Sequence, residues 1–253
     1  MNILAGFADI SLGQLVLVGG MALLASIVGG LAGYGTGALM PLVLVPMVGA
    51  EPVVPIIAIS AIITNLSRFV AYFRYADRRR ALIVIGAAAL TTALGAYGYT
   101  RLGSAGAALV IGGMLILSVP LRRLAKKREI RIGDTGLGVS AVGYGVVVGG
   151  TSGSGVILLS LLMASGLEGA AVIATDAMIS VVTSVIKISV FGLAGVVTVQ
   201  VLAFALLIGA IAIPGAFLAK AFVERMPVHI HTAILDAAVM VGGVVMITEA
   251  LRH

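Results

Sequence analysis

No cysteine occurs among the 253 residues, which excludes disulfides, thiol chemistry and thiolate-bound metal. Charge is scarce too. Asp, Glu, Lys and Arg make up 10% of the chain against 60% hydrophobic residues, where a soluble domain carries roughly 25% charged residues. With a mean hydropathy of +1.21, a soluble fold is excluded. Apolar runs of about 20 residues recur along the chain, the length needed to cross about 30 Å of hydrocarbon. The alternating ten-residue pattern of a membrane β-barrel is missing. So are a nucleophile–base arrangement, an HExxH helix and a Walker loop. No enzyme activity, cofactor or metal is therefore expected, and any driving force falls to an ion gradient or the substrate's own gradient. Residues 1–13 carry neither a basic n-region nor a clear cleavage site, so no removable signal peptide is expected.

The net charge of +6 does not point to nucleic acid. Ten of the sixteen basic residues lie in two short connectors, Arg74–Arg80 and Arg122–Arg131. Such clustering is the positive-inside signature, which orients a chain in the lipid bilayer and attracts anionic lipid.

Hydropathy divides the chain into eight apolar elements: 14–48, 52–74, 81–101, 105–121, 135–166, 169–193, 198–222 and 230–251. Six suit a single crossing. The first and fifth are too long for one crossing and too short for two. A glycine-rich stretch interrupts each, GYGTG at 33–37 and GGTSGSG at 149–155, and an apolar run of about half a membrane follows. The halves correspond. Gly35-Thr36-Gly37 matches Gly153-Ser154-Gly155 at a separation of 118, and Thr64-Asn65-Leu66-Ser67-Arg68 matches Thr183-Ser184-Val185-Ile186-Lys187 at 119. The expected fold is an all-α polytopic membrane protein of two pseudo-symmetric four-element repeats. Its parts are an N-terminal segment 1–13, a transmembrane repeat 14–121, a basic cytoplasmic connector 122–134 and a second repeat 135–253.

If the two interrupted elements are re-entrant, each half makes three crossings and the halves are inverted. The connectors with Arg74–Arg80, Arg122–Arg131 and Lys220–Arg225 then share the cytoplasmic side. If both elements cross fully, the halves are parallel and Lys220 and Arg225 fall outside. The positive-inside rule prefers inversion, by those two residues.

Paired broken segments in a duplicated membrane protein point to a transporter binding site. A break exposes backbone N–H and C=O groups, which survive in a membrane only when buried in protein or lining a cavity. Half-helices starting near Ala38 and Val156 would aim free N–H groups and a positive dipole end into that cavity, a geometry that suits an anion. The alternative is close helix packing by small residues. Gly33-Tyr34-Gly35 also echoes a potassium filter, but Leu31 and Ala32 precede it instead of Thr-Val, and a filter needs four symmetric copies.

Asp176, Ser180, Thr183 and Lys187 fall on one helical face of 169–193. Asp176 and Lys187 are about 16 Å apart along the axis, so each needs another partner. Ser60, Thr64, Ser67 and Arg68 form the matching stripe in 52–74. Arg68 and Lys187 are candidates for attracting an anion, with snorkelling to the interface as the alternative. Thr64, Asn65, Thr183 and Ser184 would hydrogen-bond the anion, joined by Thr36, Thr151, Ser152 and Ser154 and by the amides of Gly35, Gly37 and Gly153. Asp176 is the proton-coupling candidate, or else a structural acceptor. Asp236 is a weaker one. Pro214 should kink 198–222. His229-Ile230-His231 has no evident third metal ligand.

These features resemble the TauE/SafE family of sulfite and organosulfonate exporters. The resemblance rests on Gly33, Gly35, Gly37 and Pro41 in the first repeat and Gly149, Gly150, Gly153 and Gly155 in the second. The steps Ala58-Ile59-Ser60 and Ala174-Thr175-Asp176 follow them. It covers nearly the whole chain. It implies a permease of the bacterial-type plasma (inner) membrane carrying small sulfur anions such as sulfite, sulfoacetate or thiosulfate. Thr36 stands where the family commonly has glycine, Leu159 where the first repeat has Pro41, and Asp176 where a serine is usual. Two other readings of the residues remain, a passive anion channel and a scaffold without substrate. A homodimer is compatible with a small permease, though nothing in the sequence specifies one.

Overall fold

The computed structural model describes residues 3–8, 10–32, 35–127, 131–222, 240, 243–248 and 250–251. The side chains of 30–32, 122–127, 216 and 219–222 are not described. Gly33, residues 128–130 of the basic connector, Arg225, His229, His231 and Asp236, together with the side chains of 122–127 and Lys220, therefore lie outside the described part.

Described residues form helices and turns, with no strand among them. A 3-10 turn at Ile3–Phe7 leads into α1 (Leu12–Ala32). Then come α2 (Thr36–Val48), α3 (Val53–Tyr72), α4 (Arg78–Tyr99) and α5 (Ser104–Lys127). The second half holds α6 (Asp134–Gly150), α7 (Gly155–Ala164), α8 (Ala170–Leu193) and α9 (Val199–Phe222). Residues 243–248 are helical and pack on α5, where Gly112 and Gly243 meet backbone to backbone. Five helices are long and apolar enough to cross a membrane: α1, α3, α4, α5 and α8. In α9 the apolar stretch is shorter, 199–215. Both interrupted elements are broken where the glycines fall. Helix α1, ahead of the first break, is by length and composition able to span by itself.

Local chemistry fixes several boundaries. Asp77 caps α4 by accepting the Arg80 backbone N–H at 3.0 Å, satisfying a donor that a helix start leaves open. Pro55 lies in the first turn of α3, where a missing N–H costs nothing. Positive φ at Gly49 (79°) and Gly153 (84°) turns the chain after α2 and within the second break, a backbone region where a Cβ is strained.

Two sets of contacts define the ends of the bundle. At one end, the Tyr99 hydroxyl donates to the Ala50 carbonyl at 2.8 Å, and its ring stands edge-on to Phe191 with centroids 6.1 Å apart. Phe7 meets Phe204 there in the same way at 5.3 Å. The start of α1, the end of α2, the ends of α4 and α8 and the start of α9 are thus neighbours. At the other end, the Asp77 N–H donates to Thr175 Oγ1 at 2.9 Å, Arg80 Nη2 to the Ser165 carbonyl at 2.7 Å, and the Ile132 N–H to the Ala164 carbonyl at 2.9 Å. Arg79 pairs with Asp134 at 2.6 Å. These gather the start of α4, the start of α6, the end of α7 and the start of α8.

Helix contacts cross between the halves. Helix α4 packs along α6 and α1 along α9; α3 packs on α8 and α9, and α8 on α3 and α4. Small residues make these seams, since lipid gives apolar side chains no reason to leave it and close backbone approach supplies the attraction. A Cβ at Gly149 would lie 2.8 Å from the Ala96 nitrogen, and one at Gly145 2.6 Å from the Ala88 carbonyl. In the α1–α9 seam, Gly215 touches Ser26, whose hydroxyl donates to the Ala212 carbonyl at 2.6 Å.

Candidate functional site

The two breaks meet at the centre of the helical packing. A Cβ at Gly37 would lie 2.9 Å from the Gly153 nitrogen, and the chain at Gly35 doubles back against Ala25 and Gly29 of α1. This close approach settles a hydrogen-bond deficit. Pro41, inside α2, has no N–H, so the Gly37 carbonyl four residues earlier loses its helical partner. Ser152 Oγ of the second break donates to that carbonyl at 2.6 Å. Leu159 stands 118 residues after Pro41, and because it keeps its N–H the Gly155 carbonyl needs no such donor.

Between the breaks lies a cavity of about 120 Å³. About 10–15 Å³ of such space holds one water, so it admits a water cluster or one small solute. The helix α3 contributes Thr64, Asn65 and Arg68, and α8 contributes Asp176, Ser180, Thr183, Ser184 and Lys187. The breaks contribute Gly35, Thr36, Gly37, Thr151, Ser152, Gly153 and Ser154. All fourteen candidates named from the sequence line this one space. Ser60 and Ser67 of the α3 stripe do not. Their hydroxyls donate to the carbonyls of Ile57 and Ile63 within the helix.

Neither half-helix start has a side-chain cap: Gly35 precedes α2 and Ser154 precedes α7. The Thr64 and Thr183 hydroxyls donate to the carbonyls of Ala61 and Ser180, at 3.3 and 3.2 Å, which leaves their oxygens able to accept.

The charged residues are not arranged as equals. Arg68 Nη2 pairs with Asp176 Oδ2 at 3.3 Å, joining α3 to α8 across 108 residues of sequence. Its guanidinium also donates to the Gly29 carbonyl at 3.0 Å and to Asn65 Oδ1. Asp176 is 1% exposed, and its Oδ1 is buried with no hydrogen-bond partner. Lys187, 6% exposed, donates from Nζ to the Thr151 carbonyl at 3.2 Å. Among the described residues no carboxylate pairs with it. Both cations are drawn inward, so neither snorkels.

The sequence between residues 18 and 246 matches the family model described as sulfite exporter TauE/SafE. The chain belongs to the TauE/SafE family. No curated protein and no solved structure matches it. Membership in this family implies a membrane permease that exports sulfite or another sulfur compound, and with its apolar helices the chain is a multi-pass membrane protein.

Sequence reasoning left out two polar residues that line the cavity, Ser26 of α1 and Tyr144 of α6. They stand 118 apart, the separation that relates Gly35 to Gly153. Extending the repeat correspondence upstream of the breaks would have found both.

Proposed function

We propose that this TauE/SafE member is a secondary transporter that moves a small sulfur-containing anion, such as sulfite or an organosulfonate, by alternating access. The observation that carries this reading is Lys187. A buried ammonium with one backbone carbonyl and, among the described residues, no carboxylate is costly to leave without a counter-charge, and it lines the cavity where two uncapped helix starts converge. Each half-helix brings partial positive charge to its N-terminus. The hydroxyls of Thr64, Thr183 and Ser184 and the Asn65 amide would complete an anion's hydrogen bonds.

In this reading the broken elements are re-entrant and the halves inverted. Support comes from the ends of the bundle, where the start of α1 lies with the end of α2, and the start of α6 with the end of α7 at the opposite end. The crossed seams, α4 on α6 and α1 on α9, are the pairs expected when two copies of one unit are related by a two-fold axis. Movement of one repeat against the other would then open the cavity to each side in turn. Proton coupling is assigned to Asp176, whose pair with Arg68 would have to open for the carboxylate to take up a proton. Asp176→Asn should therefore abolish flux driven by a pH gradient, and undiminished flux would remove that assignment.

The main test is thermal stabilisation of the purified protein by sulfite, thiosulfate, sulfoacetate, taurine, sulfate, chloride and acetate at matched ionic strength. A ligand that binds the native state raises stability by mass action. Stabilisation by a sulfur anion, lost in Lys187→Ala and Thr183→Ala, is expected; no stabilisation by any anion refutes the site. In proteoliposomes, saturable flux with counter-transport is expected, and flux that never saturates would favour a channel.

A further inference from the structure

The residues that attract an anion also count its charge. Among the described residues lining the cavity, three have ionisable acid or base side chains other than tyrosine, Arg68, Asp176 and Lys187, and the charge count takes all three as ionised. Arg68 and Asp176 pair at 3.3 Å, and the guanidinium also donates to the Gly29 carbonyl and Asn65 Oδ1. What is left over is the single positive charge of Lys187, held by the Thr151 carbonyl.

We propose that the cavity selects singly charged tetrahedral or pyramidal sulfur oxyanions, such as an alkyl sulfonate or singly protonated sulfite, over doubly charged ones. The proposal rests on the anion-transport reading above and narrows it. A monoanion brings the enclosed charge to zero. A dianion leaves one uncompensated negative charge, facing a carboxylate whose Oδ1 is buried without a partner. A neutral solute leaves Lys187 uncompensated. Beside side chains as buried as Asp176 and Lys187 each mismatch is expensive, because desolvation is not repaid by a counter-charge. Specificity then comes from what the site repels as much as from what it attracts.

Three probes of closely similar shape differ in charge: sulfate (−2), methanesulfonate (−1) and dimethyl sulfone (0). Their dissociation constants for the purified full-length protein would be read from thermal shifts at fixed neutral pH and matched ionic strength. Wild type should bind methanesulfonate at least about tenfold more tightly than sulfate or dimethyl sulfone, the scale expected for an uncompensated charge. Asp176→Asn raises the enclosed charge to +2 and should reverse the order in favour of sulfate. Lys187→Gln lowers it to zero and should favour dimethyl sulfone. Each variant tests the idea separately, so a failure of one to fold leaves the other decisive.

Equal affinity of wild type for methanesulfonate and sulfate overturns the proposal while leaving an anion site in place. So does an unchanged order of affinities in a folded variant. If no anion shifts the wild type at all, the anion-site reading itself fails, and the charge selection with it.

Discussion

Removing the Ser152 hydroxyl should expose a defect that the first repeat carries in its own helix. Pro41 withholds the N–H that the Gly37 carbonyl would normally accept, and Ser152 Oγ supplies the substitute at 2.6 Å. Ser152 is 3% exposed, and a cavity water that took over its role would bring the cost to the lower end of its range. Leaving a buried carbonyl without a donor costs about 1–3 kcal/mol, and in membrane proteins side-chain hydrogen bonds fall toward the lower end, about 0.6–1.7 kcal/mol. Ser152→Ala should therefore destabilise by about 1–2 kcal/mol, which for a chain of this size is a fall of roughly 2–8 °C in Tm. Pro41→Ala returns an N–H to the Gly37 carbonyl. In that background Ser152→Ala should cost distinctly less, giving a coupling of about 1 kcal/mol. The assay is a double-mutant cycle from unfolding in one detergent at one scan rate, since membrane-protein transitions are often kinetically controlled. Contacting residues couple, whereas independent ones add within about 0.3–0.5 kcal/mol. Strict additivity of Ser152→Ala and Pro41→Ala would refute the argument.

Two further stability measurements follow from the same geometry. Gly37→Ala forces a Cβ to 2.9 Å from the Gly153 nitrogen, whereas a Cβ at Gly86 of α4 meets nothing within 4 Å. The first should lower stability by about 1–3 kcal/mol and the second leave it unchanged or raise it by up to about 1 kcal/mol. Similar shifts in both would show that the breaks are not in tight contact. At the α3–α4 connector, the Arg80 backbone N–H holds the Asp77 carboxyl below its ordinary range, opposed by partial burial and helped by the Arg80 guanidinium. A depressed carboxyl contributes stability above its unfolded value of about 4 and loses it as pH falls through the lower folded value. Asp77→Ala should cost about 0.5–2 kcal/mol at neutral pH. The gap to wild type should narrow below about pH 4; a constant gap would deny the carboxylate its role.

How much of this was legible in the sequence differs from residue to residue. Composition made the membrane class certain, because 60% hydrophobic and 10% charged residues cannot cover a water-exposed surface. The glycine runs marked both helix breaks, since a break is written in the residues that make it. Helical spacing grouped Thr64 with Arg68, and Asp176 with Ser180, Thr183 and Lys187, because a 3.6-residue period reports which side chains share a face of their own helix. The 118–119 repeat then tied the two sets together, and all fourteen candidates line one cavity.

Partnership was not legible. Arg68 and Lys187 stand 119 residues apart and the sequence offered both as attraction for an anion, yet Arg68 is bound to Asp176, while the described partner of Lys187 is the Thr151 carbonyl. Periodicity within one helix says nothing about how far that helix slides along a neighbour. The α3–α8 register goes with the packing of α3 against α9 and of α8 against α4, and it decides which cation meets the carboxylate. The same holds for Ser152, which the sequence offered as a ligand hydroxyl. Only the approach of the two breaks revealed that its proton already serves the carbonyl left open by Pro41. The chain determined by itself where it would break and which polar residues it would bury. The tertiary structure decided which buried charges cancel and which one remains, because cancellation depends on distances between helices that no single helix encodes.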